Sequence, residues 1–343
     1  CLAEIRSEWV DVAEVKPLAI RSIDSLSPDR QPLAARKFTR QLNSYWKVTS
    51  YSGLSYGAHQ HENASSVSAE VLADSLAPKM DIDARGEARE LDSSEQVAEQ
   101  QLTAHQFPKG AMAGTFLHSV LEEADFQQLI DEQWLADKLL SAGFDPMWAP
   151  ILKTWLQTIF NTPLNEQGLV LSQLKAEDQL DEMQFYLPID KLLTANEVDE
   201  LTHYYDPLSS RCPPLNFDAV QGILKGFIDL TFYWQGKFYL LDYKSNYLGD
   251  GVEAYTREAM EEAMIDHRYD LQYQLYSLAL HRYLRQRLPD YNYEQHFGGV
   301  IYLFLRGIDA DYPGNGVFYY LPAAEFVDKL DRLFSQAEEN QKC

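Results

Sequence analysis

The sequence predicts an α/β layered domain, and two observations predict it. Over residues 107–343 the patterns follow the order helix, strands, helix, strand, helix, which is typical of a sheet with helices packed on it. The run GVIYLFL at 299–305 is apolar at every position, as expected of a strand that is buried on both faces. We therefore expect a central sheet flanked by helices.

The predicted helices are indicated by apolar residues three or four positions apart. The first follows Thr115, a residue type that favours helix N-caps, and its apolar residues are Leu117, Val120, Leu121 and Ala124. The other predicted helices span about 147–161, about 258–288 and 323–341. Pro289 ends the third of these four helices, because proline disfavours a helical conformation in the residue before it.

The predicted strands are rich in aromatic and branched residues. EMQFYLP at 182–188 alternates between apolar and polar residues, and we expect it to end at Pro188. Two further runs flank Gln235-Gly236, a dipeptide that indicates a β-hairpin, although less strongly than Asn-Gly does. GVFYYLP at 316–322 predicts the last strand.

Three regions differ in composition. Residues 1–56 are expected to be the tail of a preceding domain and a connecting arm that ends in TSYSGL at 49–54. Residues 57–106 are expected to be an acidic, disordered linker, because block 61–100 has ten acidic residues, three basic residues and no Phe, Tyr or Trp. Residues 107–343 are expected to form the folded functional domain.

The composition excludes several classes of protein. A hydrophobic content of 45% is sufficient for one sizeable core, and no run of about 18 apolar residues predicts a membrane span. The three cysteines, Cys1, Cys212 and Cys343, cannot form a four-cysteine zinc or iron–sulfur site. A disulfide framework is not expected either, and this suits a reducing cytoplasm.

The net charge of −23 is unfavourable for a protein that binds nucleic acid, because an acidic surface repels the phosphate backbone. Arg282, Arg285 and Arg287 form a local basic cluster close to the end of the third predicted helix. A favourable interaction with the helix dipole explains these arginines equally well.

The hairpin carries the strongest chemical signal. A two-residue turn at Gln235-Gly236 pairs Trp234 with Lys237, and the same register places Asp229 directly opposite Asp242. Lys244, two residues further along, projects from the same face as Asp242. Carboxylates placed opposite each other destabilise a sheet, and a bound divalent cation reverses that interaction. Oxygen ligands favour Mg²⁺ over zinc. An exposed hairpin with ordinary surface Asp and Lys remains the alternative.

Four ordered motifs resemble the nuclease domain of the RecB family, the helicase–nuclease subunits of bacterial RecBCD (exodeoxyribonuclease V), within the PD-(D/E)xK superfamily. The motifs are GTFLHSVLEE, GFIDL, LLDYKSN and QYQLYSLALHRYL, and they span most of residues 107–343. The resemblance implies a PD-(D/E)xK (restriction-endonuclease-like) core, with a central mixed sheet flanked by helices, and a Mg²⁺-dependent deoxyribonuclease. Mn²⁺ or Ca²⁺ can replace Mg²⁺ in such a site.

The resemblance also implies roles for individual residues. Its GxxxH motif falls on Gly114–His118 and makes His118 a metal ligand, beside Asp229 and Asp242. The backbone carbonyl of Tyr243 completes the protein ligands, and Lys244 is the catalytic lysine. The superfamily has an acidic residue at the first of these positions, so His118 is a departure, although one typical of this branch. A second metal ion is therefore in doubt.

Two further residues match the family's QxxxY motif. Gln272 and Tyr276 are one helical turn apart, so they share one helix face. The resemblance places them beside the active site, where they contact the DNA backbone, while packing between helices is the alternative. Glu182 is a second candidate for support of the site, although surface placement is the simpler interpretation.

The implied mechanism combines a metal ion with a lysine. A Mg²⁺ ion on Asp229, Asp242 and His118 would bind the scissile phosphate and activate a water molecule. Lys244 would orient that water and offset the growing negative charge. The sequence has no G-x-x-x-x-G-K-[ST] phosphate loop, so ATP-driven unwinding is not expected in these residues. The resemblance implies that helicase motors lie upstream and that residues 1–56 include the tail of that helicase region.

The resemblance implies the partners DNA, chiefly single-stranded, and RecC-like and RecD-like subunits, in the cytoplasm and nucleoid of a bacterium. A RecA-type recombinase is a further implied partner. Two alternatives remain, another PD-(D/E)xK endonuclease of the resolvase or restriction type, and a non-catalytic module that docks a recombinase.

Overall fold

A mixed sheet forms the centre of the fold in the computed structural model, which describes residues 45–55 and 102–335. The predicted tail and most of the predicted acidic linker lie outside the described residues. The described strands are β1 Trp46–Thr49, β2 Gln179–Leu193, β3 Val220–Trp234, β4 Lys237–Lys244, β5 Phe297–Phe304 and β6 Val317–Tyr320.

The strand order is β1-β3-β4-β5-β6, and β2 lies along the other edge of β3. Strands β1 and β5 run parallel to their neighbours β3 and β4. The pairs β2–β3, β3–β4 and β5–β6 are antiparallel. The prediction of a mixed central sheet is therefore confirmed.

Helices cover both faces of this sheet. The described α-helices are α1 Tyr51–Ser55, α2 Ala111–Glu123, α3 Glu132–Ser141, α4 Ala149–Asn161, α5 Ala195–Tyr205, α6 Arg257–Asp266, α7 Tyr269–Arg287, α8 Tyr293–His296 and α9 Ala324–Phe334. A first core packs α1, α5, α6, α7 and α9 against one face of the sheet. A second core packs α2, α3 and α4 against the other face. The fold is therefore a three-layer α/β/α arrangement, as predicted.

Two predicted helix boundaries are wrong. Helix α2 begins at Ala111, with Gly110 as its N-cap residue, so Thr115 lies inside the helix. The predicted helix over 258–288 consists of two helices, α6 and α7, which are separated at His267 and Arg268. Arg268 has a left-handed backbone conformation with φ 55°, and its buried guanidinium donates hydrogen bonds to Asp270 at 3.0 and 3.2 Å. This ion pair fixes the break between the two helices.

The strand predicted over 182–188 corresponds to β2, and its predicted end at Pro188 is also wrong. Pro188 lies inside β2 and is opposite Ile223 of β3. Among the described strands, β2 pairs with β3 alone. Proline is tolerated in an edge strand, because its missing N–H can face away from the ladder. The last predicted helix is shorter in its described part, which ends at Phe334, and residues 336–343 lie outside the described range.

The segment TSYSGL, which we expected to lie in a connecting arm, contributes to the fold. Strand β1 pairs with β3 from Trp46–Gln221 to Thr49–Leu224. Tyr51 and Leu54 of α1 are buried in the first core. Residues 45–55 therefore extend the sheet beyond the region that carries the motifs.

The arginine cluster on α7 does not offer a free basic surface. The guanidinium groups of Arg282 and Arg285 both bind the carboxylate of Asp331, the latter at 2.9 Å. These contacts fix α9 against α7 and neutralise much of the cluster. This cluster therefore does not explain how a chain with a net charge of −23 could bind nucleic acid.

No helix in residues 45–55 and 102–335 is both long and apolar enough to cross a membrane.

Candidate active site

The hairpin register agrees with the sequence prediction. Trp234 pairs with Lys237, and the β3–β4 ladder continues in the same register to Leu230–Leu241. That last pair is one step before Asp229 and Asp242. The two carboxylates therefore lie on neighbouring strands at the point where the regular pairing ends.

Strand β3 changes its packing at Asp229. Ile228 packs in the first core and Leu230 in the second, although residues two apart on a regular strand share a face. In the β2–β3 register Glu182 falls opposite Asp229, between two regular pairs. Glu182 has a left-handed backbone conformation with φ 50°. Asp229 therefore lies at a local irregularity of both strands, and Glu182, a candidate for support of the site, lies across from it.

His118 meets Asp229 from helix α2. Its Nδ1 is 3.4 Å from Oδ2 of Asp229. The same Oδ2 accepts a hydrogen bond of 3.0 Å from the backbone N–H of Tyr243. Burial alone would raise the pKa of Asp229, but His118, the Tyr243 amide and Lys244 together lower it. Asp229 is therefore ionised at neutral pH.

The N–H of Tyr243 also indicates the direction of its carbonyl. In a strand the N–H and C=O of one residue point to the same side. The carbonyl of Tyr243 therefore points toward β3 and Asp229, the direction in which a metal ligand is expected. The ring of Tyr243 packs edge-on against His118, with 5.9 Å between the ring centroids.

Lys244 is buried, with 1% of its side chain exposed. Its Nζ is 2.8 Å from Oδ1 of Asp242 and donates a hydrogen bond of 3.0 Å to Oε1 of Gln272. It also lies 3.7 Å from the centroid of the Tyr269 ring. A buried ammonium is costly unless it is paired, and these contacts fix its position.

Gln272 links the lysine to two tyrosines. Its Oε1 accepts a second hydrogen bond from the hydroxyl of Tyr302, and its Nε2 donates to the hydroxyl of Tyr276, at 3.0 and 3.1 Å. Burial, followed by the charges of Asp242 and Asp229, raises the pKa of Tyr276 well above its ordinary value. The Tyr276 hydroxyl therefore stays protonated close to both carboxylates.

The structure brings together all the predicted side chains, but as two groups. In the first group Asp229 contacts His118. In the second group Asp242 contacts Lys244, Lys244 donates a hydrogen bond to Gln272, and Gln272 donates one to Tyr276. Sequence reasoning missed Tyr269 and Tyr302. Tyr269 lies one helical turn before Gln272, and Tyr302 is the tyrosine in an otherwise aliphatic part of β5, opposite Asp242. Both signals were present in the sequence.

The donor set fits a divalent cation in its chemistry. Two carboxylates, a backbone carbonyl and an imidazole are ligands for such ions. As the side chains stand, however, no three His, Cys, Asp or Glu residues in the described ranges are grouped closely enough to hold a metal ion. Lys244 neutralises Asp242 here, and His118 faces Asp229. A cation bound by Asp242 would lie close to the ammonium of Lys244.

Arg306 fixes the elements that carry the site. It follows β5 and is 2% exposed. Its guanidinium donates hydrogen bonds to backbone carbonyls of the segment before α2, at Ala104, His105, Phe107 and Pro108. Its Nε donates to the carbonyl of Ser245, which directly follows Lys244. One side chain therefore connects the segment that precedes α2 to the end of β4.

Comparison with known proteins defines the class of protein. The family model described as the PD-(D/E)XK nuclease superfamily matches residues 91–341. The chain belongs to the PD-(D/E)XK nuclease superfamily, whose members generally use divalent metal ions.

Curated relatives narrow the similarity further. The chain is 50% identical over 303 residues to RecBCD enzyme subunit RecB of Escherichia coli (strain K12), covering 88% of this chain and 24% of that protein. It is 36% identical over 313 residues to the Haemophilus influenzae subunit, covering 90% and 25%. It is 32% identical over 357 residues to the Mycolicibacterium smegmatis subunit, covering 93% and 32%. The chain thus spans about a quarter to a third of the length of these relatives.

The contacts of Gln272 predict a positioning role. Gln272→Leu removes the acceptor that holds Nζ of Lys244, so we expect kcat for phosphodiester hydrolysis to fall on the order of 10-fold, with KM nearly unchanged. Steady-state kinetics on a single-stranded oligonucleotide measure both constants.

Tyr302→Phe is the matched control, because it removes a hydrogen bond to the same oxygen but keeps the lysine contact. We expect that variant to retain most of the activity. A rise in KM without a fall in kcat for Gln272→Leu would contradict the positioning role and favour direct contact with DNA.

Proposed function

We propose that the chain is a Mg²⁺-dependent deoxyribonuclease that hydrolyses phosphodiester bonds, of the exodeoxyribonuclease V type. The observation that carries the proposal is the pairing of Asp242 with a buried Lys244, in a chain of this nuclease superfamily. A surface hairpin would not bury a lysine in such contacts.

Asp229, Asp242, His118 and the carbonyl of Tyr243 are the proposed metal ligands. When bound, the cation would supply Lewis-acid activation of water and of the scissile phosphate. The oxygen-rich ligand set favours Mg²⁺, with Mn²⁺ or Ca²⁺ as substitutes in the same place.

Lys244 is the proposed electrostatic catalyst. Its ammonium is fixed by Gln272 and by the ring of Tyr269, so it needs little reorganisation to stabilise charge that develops on the phosphate. The same ammonium can orient the attacking water. Tyr276, kept protonated by burial and by the nearby carboxylates, can donate a hydrogen bond to a phosphate oxygen.

The proposed substrate is chiefly single-stranded DNA that a helicase complex delivers during repair and recombination of double-strand breaks. The printed names of the relatives describe a subunit of a RecBCD enzyme. By analogy we propose RecC-like and RecD-like partner subunits and a bacterial cytoplasmic location at the nucleoid. A RecA-type recombinase is a further proposed partner. The domain assignment of 107–343 as nuclease, preceded by a linker at 57–106 and a helicase tail at 1–56, belongs to the same proposal.

Metal removal tests this proposal. The purified chain is expected to release nucleotides from an end-labelled single-stranded oligonucleotide in Mg²⁺. Activity should vanish in EDTA and return when Mg²⁺ is added back. Gel electrophoresis of the products follows both steps. No Mg²⁺-dependent cleavage of single-stranded or double-stranded DNA would contradict the proposal and favour a non-catalytic docking module.

The same assay separates the other nuclease classes. A resolvase is expected to cut a four-way junction and to leave linear ends intact. We expect the opposite preference here.

A further inference from the structure

One face of the sheet lies next to the active site and outside both cores. We call it the stacking face and define it by seven residues of three strands: Trp46 and Val48 of β1, Tyr186 and Pro188 of β2, and Ile223, Lys225 and Phe227 of β3. The pairs Val48–Ile223, Pro188–Ile223 and Tyr186–Lys225 are in register, and paired residues share a face.

The other side of these strands is fully packed. Leu187, Leu224 and Ile228 point into the first core. None of the seven residues of the stacking face belongs to either core. On their side of the sheet, the second core includes residues of β3 only from Leu230 onward. The strands therefore extend past the layer formed by α2, α3 and α4.

Exposed aromatic and branched side chains are concentrated on this face, among polar residues such as Gln184 and Gln221. Trp46 is 57% exposed, Tyr186 is 56% exposed and Val48 is 43% exposed. Of the seven residues one is charged, Lys225, and its Nζ lies 5.2 Å from the centroid of the Phe227 ring. Aromatic rings with a cation among them form the usual platform for single-stranded nucleic acid, because every base has a face that can stack on a ring.

The stacking face is continuous with the site. Phe227 is two residues from Asp229 on the same strand, and Trp46 is level with Gln221. Gln221 and Asp229 are about 27 Å apart at roughly 3.4 Å per residue, a distance that several nucleotides of an extended strand can span.

We infer that the stacking face binds single-stranded DNA by base stacking on Trp46, Tyr186 and Phe227, with Lys225 on the phosphate backbone, and guides the strand to Asp229. This inference rests on the proposed function. It also explains how so acidic a chain can hold DNA, because stacking on rings does not depend on neutralising many phosphates.

Binding of a fluorescein-labelled oligo(dT) to the full 343-residue chain tests the inference. Fluorescence anisotropy is measured in EDTA, so that the oligonucleotide stays intact. Trp46→Ala and Tyr186→Ala are each expected to weaken binding about 10-fold or more. Tyr186→Phe keeps the ring and should keep most of the affinity. The matched control is Tyr204→Ala, an exposed aromatic of α5 away from this face, and its affinity should equal that of the wild type.

Salt dependence separates stacking from charge. Because a single strand contributes a slope of about −0.7 per neutralised phosphate, we expect Lys225→Gln to make the slope shallower by about that amount. Trp46→Ala should weaken binding without changing the slope. The control for charge is Lys175→Gln, a lysine with 68% of its side chain exposed. Duplex DNA should compete poorly, since its bases are not available for stacking.

Unchanged affinity in Trp46→Ala and Tyr186→Ala, an equal loss in Tyr204→Ala, or effective competition by duplex DNA would overturn the inference. If another protein covers this face instead, the aromatic variants will bind oligo(dT) as the wild type does, which is the same overturning result. Because binding is measured without metal, the outcome does not depend on hydrolysis. If the chain cleaves DNA with Mg²⁺ and the aromatic variants keep their affinity for oligo(dT), the stacking face does not bind DNA. The proposed function would still hold.

Discussion

Lys244→Met is expected to lower kcat for DNA hydrolysis by about 10²–10³-fold while strengthening the binding of a divalent cation. Removal of one preorganised electrostatic group from an active site has a cost of this order. Met is close to Lys in length and can occupy the same apolar surroundings between the rings of Tyr269 and Tyr302. The change therefore removes a charge more than it alters packing.

The expected gain in metal affinity follows from competition for one carboxylate. In the structure Nζ of Lys244 is 2.8 Å from Oδ1 of Asp242, so the ammonium repels a cation that binds the same carboxylate. Without the ammonium, Asp242 retains a negative charge that a cation can balance. Isothermal titration with Ca²⁺ in the absence of DNA measures the affinity. Ca²⁺ should also raise the Tm of Lys244→Met by more than it raises that of the wild type.

Asp242→Asn is the matched control, because it breaks the same pair from the other side. It should lose activity as Lys244→Met does, but it should also lose affinity for Ca²⁺. If both variants bind Ca²⁺ equally well, Asp242 is not a ligand. If Lys244→Met binds Ca²⁺ more weakly than the wild type, the lysine does not oppose binding of the cation, and this explanation of the metal affinity is wrong.

The part of the site that lies on the hairpin could be predicted from the sequence, because a short turn fixes every later pair in its ladder. Gln235-Gly236 therefore determined the register up to Leu230–Leu241, and with it the juxtaposition of Asp229 and Asp242. The register of the hairpin alone does not predict that the β3–β4 pairing ends at Leu230–Leu241. That outcome depends on Glu182 in β2 and on the change of core at Asp229, which involve segments distant in sequence.

The errors share a physical origin. Thr115 has the right chemistry for an N-cap, but packing of the preceding turn extends α2 back to Ala111. Pro188 normally ends a strand, but an edge position tolerates it. Helical spacing runs without interruption across Arg268, and the buried pair with Asp270 breaks the helix there. In each case a tertiary contact overrides a local preference, and one sequence without its fold does not reveal such contacts.

A sequence motif does not predict which side chains its residues contact. The D-x-K string predicts that Asp242 and Lys244 share a face, but not that they contact each other, nor that Gln272 receives the lysine. These contacts join β4 to α7 over a long stretch of chain. The predicted role of Gln272 against the DNA backbone is thus replaced, in our proposal, by a role in holding the lysine.

Arg306→Met is expected to lower the free energy of unfolding by about 3 kcal/mol, because buried carbonyls that lose their donor retain the cost of desolvation. The guanidinium serves five carbonyls, four before α2 and one after Lys244. For a domain of this size the change corresponds to roughly 6–12 °C in Tm. Urea unfolding followed by circular dichroism measures the midpoint and slope.

Arg211→Met is the matched control, since Arg211 forms surface ion pairs with Glu261 and Glu262 and 45% of its side chain is exposed. Such pairs contribute about 0–1 kcal/mol, so its midpoint should hardly move. Arg306→Lys keeps the charge but offers fewer donors in a different geometry. Its loss in free energy of unfolding should lie between those of Arg306→Met and Arg211→Met. Equal losses in Arg306→Met and Arg211→Met would mean that the buried carbonyls find other donors. Arg306 would then not be what ties the approach to the His118 helix to the strand that carries Lys244.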